Sequence, residues 1–396
     1  APDDPLVLTR LGLYGRALAT TGGGRTGVLA RAAAAAALGD LGQMRGLSAQ
    51  DLSKAERRLL ASSAAPFDPR LAAALLPSSD VANRAACALA SHDLGTTQSL
   101  LESAEVSQQT LYLSGALAGW RGDWLAARAS LNRAFAHDRL FQPLEQGADE
   151  PTTLAAFAAR RPRADIDGPL ISVVVAARDA ATTLAVATDS LLAQTWRNLE
   201  VIVIDDHSSD GTLALAHDLA QRDSRLRVVA NERTPGAYGA RNTGLGEARG
   251  AVIAFHDADD WAHPQRLERQ MAALGRDRGL TLCRHFRVDL AGRPLCPRVF
   301  PFVRLSPITA MTRAETFAAI GFLEEVPVGA DSEWLARFDN RFGRRAAPRT
   351  SEVGLVALWA ADSLSGSPAS GLMGEGLKAR VAYTEAWRRR HAGVAS

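Results

Sequence analysis

Residues 251–264 read Ala251-Val-Ile-Ala-Phe-His-Asp-Ala-Asp-Asp-Trp-Ala-His-Pro264. Val252 to Phe255 is a short apolar run that fits a buried strand, and the chain then meets Asp257, Asp259 and Asp260 within four positions. Three carboxylates beside a buried strand repel one another and are costly to desolvate unless a positive charge sits among them. A divalent cation or an arginine would serve. Aspartate oxygens suit a hard cation such as Mg2+ or Mn2+, which keeps waters and shares substrate phosphates. The competing reading is a polar turn after an edge strand, with one aspartate capping the next helix and Pro264 in its first turn. The triplet alone leaves both open.

Upstream, the same texture repeats. Ile171–Val175 and Val201–Ile204 are runs rich in β-branched residues, and Arg227–Val229 is a third strand candidate. Helical stretches lie between them, one with apolar residues at 184, 191 and 192, the others over 211–221 and 237–248. Short apolar strands alternating with helices predict a parallel sheet covered on both faces. Ligands of such sheets sit beyond the carboxyl ends of the strands. Those ends carry Arg178-Asp179, Asp205-Asp206 and the acidic triplet, a charged rim that packing does not explain.

Residues 1–160 hold helix formers, with breaks at Gly22-Gly23-Gly24, Pro66-Phe67-Asp68-Pro69 and Pro77-Ser78-Ser79-Asp80. Residues 111–136 pair two small-faced helices around Gly122, Asp123 and Trp124, which resembles a tetratricopeptide unit. A packed helical layer is expected, with a peptide-binding groove as the alternative. Residues 158–169 read as a linker. With 396 residues, 47% hydrophobic and 22% charged, the chain has room for two or three globular domains. A net charge of +2 does not call for nucleic acid, and three scattered cysteines favour a reducing compartment over disulfides or zinc. The start lacks a secretory pattern, and the alanine run 32–38 is too weakly apolar for a membrane span.

Four ordered stretches carry a resemblance: Ile171-Ser-Val-Val-Val175, Gln194-Thr-Trp-Arg-Asn-Leu-Glu-Val-Ile-Val-Ile-Asp-Asp-His-Ser-Ser-Asp-Gly-Thr212, Ala240-Arg-Asn-Thr-Gly244 and Phe255-His-Asp-Ala-Asp-Asp260. Together they resemble the nucleotide-sugar-binding half of inverting family 2 glycosyltransferases. The resemblance implies a GT-A-type (Rossmann-like), mostly parallel α/β sheet with helices on both faces, preceded here by an all-α helical domain. It assigns residues 161–275 to donor binding and 276–396 to the acceptor and a C-terminal helix. Asp206, with Asp205, matches the positions that meet the nucleotide base. Asp257 and Asp259, with Ala258 between them, match the D-x-D pair facing ribose, metal and diphosphate, and Asp260 completes the metal set. Arg241 and Asn242 match a stretch lining the donor pocket, against the reading of Arg241 as an ordinary surface arginine. Ala176 and Arg178 stand in the loop where the family commonly has Pro-x-Tyr-Asn. His256 reads as a packing or supporting histidine, and Asp210 as a helix cap.

Further along, Arg313, Phe317 and Gly321-Phe322 match a family helix that precedes the catalytic base. The resemblance makes Asp331 that base, with Glu333 as the alternate; the competing reading has Asp331 capping a helix over Ser332–Phe338. Gly354–Ala361 reads as a buried strand. Ser363 and Ser365 resemble a donor-closing stretch, and the Arg-rich segment Arg380–Arg390 reads as a packed helix or a peripheral membrane contact.

The implied reaction is metal-dependent (Mg2+ or Mn2+) transfer from a nucleoside-diphosphate sugar, UDP-linked by expectation, to a hydroxyl. The acceptor would be a glycan or lipid-linked glycan, with a peptide or protein recruited by the N-terminal helices as the alternative. The expected setting is cytoplasmic, in bacterial surface or secreted glycan synthesis. The rival is a helical interaction module fused to an inactive transferase. A dinucleotide-binding loop at Gly244-Leu-Gly246-Glu-Ala-Arg-Gly250 has the wrong spacing and follows a helix rather than a strand.

Overall fold

A computed structural model describes residues 8–9, 14–19, 24–44, 47, 51–158, 160, 162, 164–276, 278–361, 363–367, 370–372 and 374–393. Gly22 and Gly23 of the first expected break and Asp362 of the tail lie outside these, as do parts of the linker.

The alanine- and leucine-rich beginning folds as α1 Tyr14–Ala19, α2 Arg25–Ala37, α3 Lys54–Ala64, α4 Pro69–Leu75, α5 Val81–Ala90, α6 Leu94–Glu102 and α7 Gln108–Trp120. Each expected break precedes a helix, at Gly24, Asp68 and Asp80, and the middle one also supplies a side-chain cap. Asp68 accepts from the backbone N of Leu71 at 2.9 Å, with Pro69 opening α4. Ser53 and Glu56 form a capping box on α3. From α3 to α7 each helix packs on the next, giving the expected layer. Gly122 turns the chain with φ 75°, and Asp123 then caps α8, Trp124–His137, by accepting from Ala126 N at 3.0 Å.

By internal packing, residues 1–121, 295–302 and 360–396 form one unit and residues 122–294 and 303–359 another. The second unit thus opens at α8, about forty residues before the expected boundary, and also takes in α9, Leu154–Phe157. Aromatic packing is the reason. The ring of Phe135 lies 5.3 Å from that of His263, and Phe157 lies 5.3 Å from Trp261. The backbone of Phe141 also bonds the side chains of Gln265 and His263.

The alternation upstream of the acidic triplet yields β1 Ile171–Ala177, α10 Leu184–Leu192, β2 Leu199–Asp205, α11 Thr212–Arg222, β3 Leu226–Ala230, α12 Ala237–Glu247 and β4 Val252–Asp257. After it come β5 Asp260–Ala262, α13 Arg266–Leu274, β6 Leu280–Asp289, β7 Pro294–Leu295, β8 Arg304–Leu305, β9 Met311–Arg313, α14 Glu315–Ile320, α15 Ala330–Phe342 and β10 Arg349–Trp359. The sheet order is β3-β2-β1-β4-β9-β6-β10-β5. The first four strands run parallel, as expected. The second half is mixed: β9 is antiparallel to β4 and β6, while β10 is parallel to β6 and antiparallel to β5. The expected α/β sheet with helices on both faces is therefore present, with a second half that is mixed rather than parallel.

The central strands are largely apolar because both faces are covered, and Ser172 within them donates to Glu200. Val173 and Val175 pack with Leu184, Leu191 and Leu219 on one side. Val174 and Ile202 pack with Tyr238, Leu245, Phe317 and Trp334 on the other. Gly244 lets α12 approach closely, since a Cβ there would fall 2.4 Å from Val174 Cγ1. Register then aligns the strand ends: Ala177 sits opposite Asp205, and Ala176 opposite Asp257.

The closing helix α16, Gly374–His391, belongs with the N-terminal helices, where Glu385 Oε1 accepts from Gly15 N at 2.5 Å. Ser363 accepts from Gly366 N and donates to Ala360 O, a local turn. Among the described residues no helix is long and apolar enough to cross a membrane. Cys87, Cys283 and Cys296 are free thiols.

Candidate active site

The turn between β4 and β5 brings carboxylate oxygens of Asp257, Asp259 and Asp260 within 4.8 Å of one another. Buried Ala258 anchors it in the core. Burial, with the neighbouring charges of Asp259 and Asp257, raises the Asp260 carboxyl well above the usual range. Burial and Asp257 push Asp259 up to about 6. The capping alternative fails, because α13 begins two residues after Pro264 with Gln265 before it and no side-chain cap.

An arginine does stand among the acids. Arg241 is buried, not a surface residue, and donates to Asp257 Oδ1 at 2.7 Å while its guanidinium lies 5.2 Å from the Tyr238 ring centre. Burial opposes its charge, but Asp257 and, further off, Asp331 outweigh that and raise its pKa. Arg241 thus balances one carboxylate. Asp259 and Asp260 feel Arg287 as well, yet their pKa values stay raised. A set of converging carboxylate oxygens short of positive charge fits a hard divalent cation.

His256 and Arg266 hold this turn from behind. Arg266 donates to His256 Nδ1 at 3.1 Å and to Phe255 O at 2.8 Å. Arginine can only donate, so the imidazole proton lies on Nε2, which meets Asp260 O at 3.2 Å. Burial, then Arg266, pushes the His256 pKa down to about 3, so the ring is neutral. This is the supporting role expected of it.

At the end of β2 the two aspartates differ. Asp206 is buried and engaged, accepting from Asn231 Nδ2 at 2.7 Å and Gly236 N at 2.8 Å, with Arg178 NH1 3.9 Å away. Asp205 accepts weakly from Ser208 N at 3.4 Å through Oδ2 and leaves a buried Oδ1 with no partner among the described residues. Buried polar atoms left this way call for a ligand or water. Ala176 is half-buried beside Asp257 on the sheet rim, and Arg178 is exposed. Asp210 sits one residue outside the α11 cap yet accepts from Thr212 N at 2.9 Å.

Three expected assignments change. Asn242 points away from the triplet's cation Arg241: its amide donates to Leu323 O and Glu325 and accepts from Leu323 N, fastening a loop rather than lining a pocket with free groups. Glu333 is buried with both oxygens 2.9 Å from Arg337 Nε, which leaves it poorly placed to take a proton. Asp331 is not the N-cap of its helix. It is the second residue of α15, half-buried, accepting from Ser332 N at 2.7 Å, and lies within electrostatic reach of Arg241. Glu325, Tyr238 and Arg266 went unremarked in the sequence. Only the acidic Glu324-Glu325 after Gly321-Phe322 offered a local signal.

Residues 172–315 match the glycosyl transferase family 2 model. The chain is 36% identical over 176 residues to the succinoglycan biosynthesis protein ExoO of Rhizobium meliloti, covering 44% of this chain and 46% of that one. It is 38% identical over 109 residues to the Escherichia coli UDP-Glc:alpha-D-GlcNAc-diphosphoundecaprenol beta-1,3-glucosyltransferase WfgD, covering 28% of this chain and 42% of that one. The alignments therefore span under half of these relatives' length. Among solved structures it is similar to glucosyl-3-phosphoglycerate synthase from Mycobacterium tuberculosis in complex with Mn2+, UDP and phosphoglyceric acid, at 19% identity and TM-score 0.42, covering 58% of this chain and 80% of that one. The likeness to glycosyl transferase family 2 thus rests on residues 172–315, the stretch that holds the parallel strands and the acidic triplet.

Proposed function

We propose that the protein is an inverting glycosyltransferase that moves a sugar from a nucleoside diphosphate, UDP in the first instance, to a hydroxyl of a glycan or lipid-linked glycan in bacterial surface or secreted glycan synthesis. The observation that carries the reading is the convergence of Asp257, Asp259 and Asp260 within 4.8 Å on the same rim as Asp205, with Asp331 close enough to perturb Arg241. Asp257, Asp259 and Asp260 would hold a divalent cation, which when bound offsets the diphosphate charge and stabilises it as a leaving group. Arg241 adds fixed positive charge on the same side. The free oxygen of Asp205 would accept from an N–H of the base. Asp331 takes the proton of the acceptor hydroxyl as its oxygen bonds to the anomeric carbon. The bond from that carbon to the phosphate oxygen breaks, and the electron pair leaves with the nucleoside diphosphate. One displacement inverts the anomeric centre, so no enzyme nucleophile is required. The relatives' names, one a UDP-glucose-dependent transferase acting on a diphosphoundecaprenol-linked sugar, support this class of donor and acceptor.

The test is hydrolysis of UDP-sugars with Mn2+ and with EDTA, followed by NMR of the released sugar at early times. Metal-dependent release of the inverted anomer is expected. An absence of both turnover and metal-dependent nucleotide binding would favour the rival reading of an inactive transferase joined to a helical interaction module.

A further inference from the structure

We infer that Glu325, together with Asn242 and Tyr238, is a positioning device for Asp331: it clamps the loop that leads into α15 onto the loop that Asp206 organises. The inference rests on the proposed role of Asp331 as base.

Both ends of the clamp are defined by hydrogen bonds. On the donor side, Asp206 holds residues 231–236 through Asn231 Nδ2 and Gly236 N. Asn231 tightens the same loop, accepting from Arg233 N at 3.0 Å and from Thr243 Oγ1 at 2.8 Å. A side chain at position 239 would put its Cβ 1.8 Å from Thr234 O, so this loop lies directly on α12. Across from it, Glu325 accepts from Thr234 N at 3.3 Å, Arg233 NH1 at 3.3 Å and Asn242 Nδ2 at 3.0 Å. Arg233 is also held 5.6 Å from the ring centre of Phe322.

Two more ties flank the carboxylate. The Asn242 amide pairs with both N and O of Leu323, at 3.1 and 2.9 Å. Gly329 N donates to Tyr238 Oη at 3.0 Å, two residues before Asp331. The stretch from Leu323 to Gly329 contains no helix or strand that would fix it otherwise. Beside the packing of Leu323 and Val326 in the core, its position is therefore set by polar ties to α12 and the 231–236 loop, from side chains outside the metal set. Bonds from Thr234 and Asn242 hold the Glu325 carboxyl below its usual range, so the clamp is charged at neutral pH. Charge-assisted bonds of this kind are about twice as strong as neutral ones.

The clamp predicts a particular kinetic signature in the full chain, read on Mn2+-dependent hydrolysis of UDP-glucose. Glu325→Ala should lower kcat ~10–100-fold, the order expected when a reacting group is misplaced by about an ångström, with KM for UDP-glucose changed less than ~3-fold. Glu325→Gln keeps the acceptor for Asn242 and Thr234 and should recover most of the rate. Amide exchange in the peptide spanning 323–331 should quicken in Glu325→Ala and not in Glu325→Gln. An unaltered kcat in Glu325→Ala, a KM that rises in step with the loss, or wild-type exchange over 323–331 each overturns the inference. Asp331→Asn separates the two claims: if it retains full turnover, the base assignment falls, whereas an inactive Asp331→Asn beside a fully active Glu325→Ala removes only the clamp. Should the wild type turn over no UDP-glucose, the exchange measurement alone decides.

Discussion

Lowering the pH from 7.5 to 5.5 should cost stability through histidines buried as neutral rings, and His263 isolates the effect. It is fully buried, with Nδ1 accepting from Gln265 N at 3.1 Å and Nε2 bonded to Phe141 O at 2.9 Å. Burial chiefly, then Arg269, pushes its pKa down to about 4. A histidine depressed in the fold stabilises above its unfolded value of 6.5, and that contribution is lost as pH falls below it. At pH 5.5 the unfolded side chain is mostly protonated and the folded one is not, so linkage costs about 1.3 kcal/mol relative to pH 7.5. His256 and His285, pushed down to about 3, act with the same sign. Asp259 and Asp260, with raised carboxyl pKa values, act with the opposite sign, so the net slope is a poor test. The difference between wild type and His263→Gln is a good one. Urea denaturation followed by tryptophan fluorescence should show the variant less stable at pH 7.5, with the gap narrowing by about 1.3 kcal/mol at pH 5.5. A gap that stays constant across the two pH values would mean His263 titrates normally in the fold, and the reasoning would be wrong.

Glu333→Gln should lower stability by about 1–3 kcal/mol, because it unpairs Arg337, a quarter exposed, from a buried partner, yet leave kcat near wild type; a loss of ~10²-fold or more in kcat would return Glu333 to the role of base. Gly244→Ala forces α12 away from Val174 and should cost about 1–3 kcal/mol in thermal or urea unfolding. Because α12 carries Arg241, the same change should also weaken nucleotide binding, and a variant as stable as wild type would contradict the close packing. The stabilisation that Mn2+ confers in a melting experiment should shrink as pH drops through about 6, where protons compete for Asp259; an increment independent of pH would place the cation elsewhere.

Much of the parallel half was legible because its strands are buried on both faces. Ile171–Val175 and Val201–Ile204 have no polar alternation to confuse the period, and the strands observed extend each by only a few residues. The acidic triplet was half legible: its place after an apolar run was plain, but the choice between a charged site and a capping turn took Gln265 at the cap of α13. The boundary near residue 160 was not. What moves it is Phe135 and Phe157 meeting His263 and Trp261, contacts between residues more than a hundred positions apart that no local pattern signals. The different fates of Asp205 and Asp206, and of Asp331 and Glu333, were hidden for a similar reason. Each pair looks alike in sequence, and only the partners Asn231, Gly236 and Arg337 tell its members apart. Arg241 shows the limit from the other side. Of the two cations considered for the triplet, the arginine is present and pairs with Asp257, which no local pattern in the sequence signals.

The most direct measurement of the central claim is UDP affinity by calorimetry, with Mn2+ and with EDTA, for wild type, Asp259→Ala and Asp331→Asn, each also assayed for UDP-sugar turnover. Wild type and Asp331→Asn should bind UDP with metal-dependent affinity and only the former should turn over, while Asp259→Ala should lose the metal dependence altogether. Equal, metal-independent affinity in all three proteins would contradict a shared cation and diphosphate site on this rim.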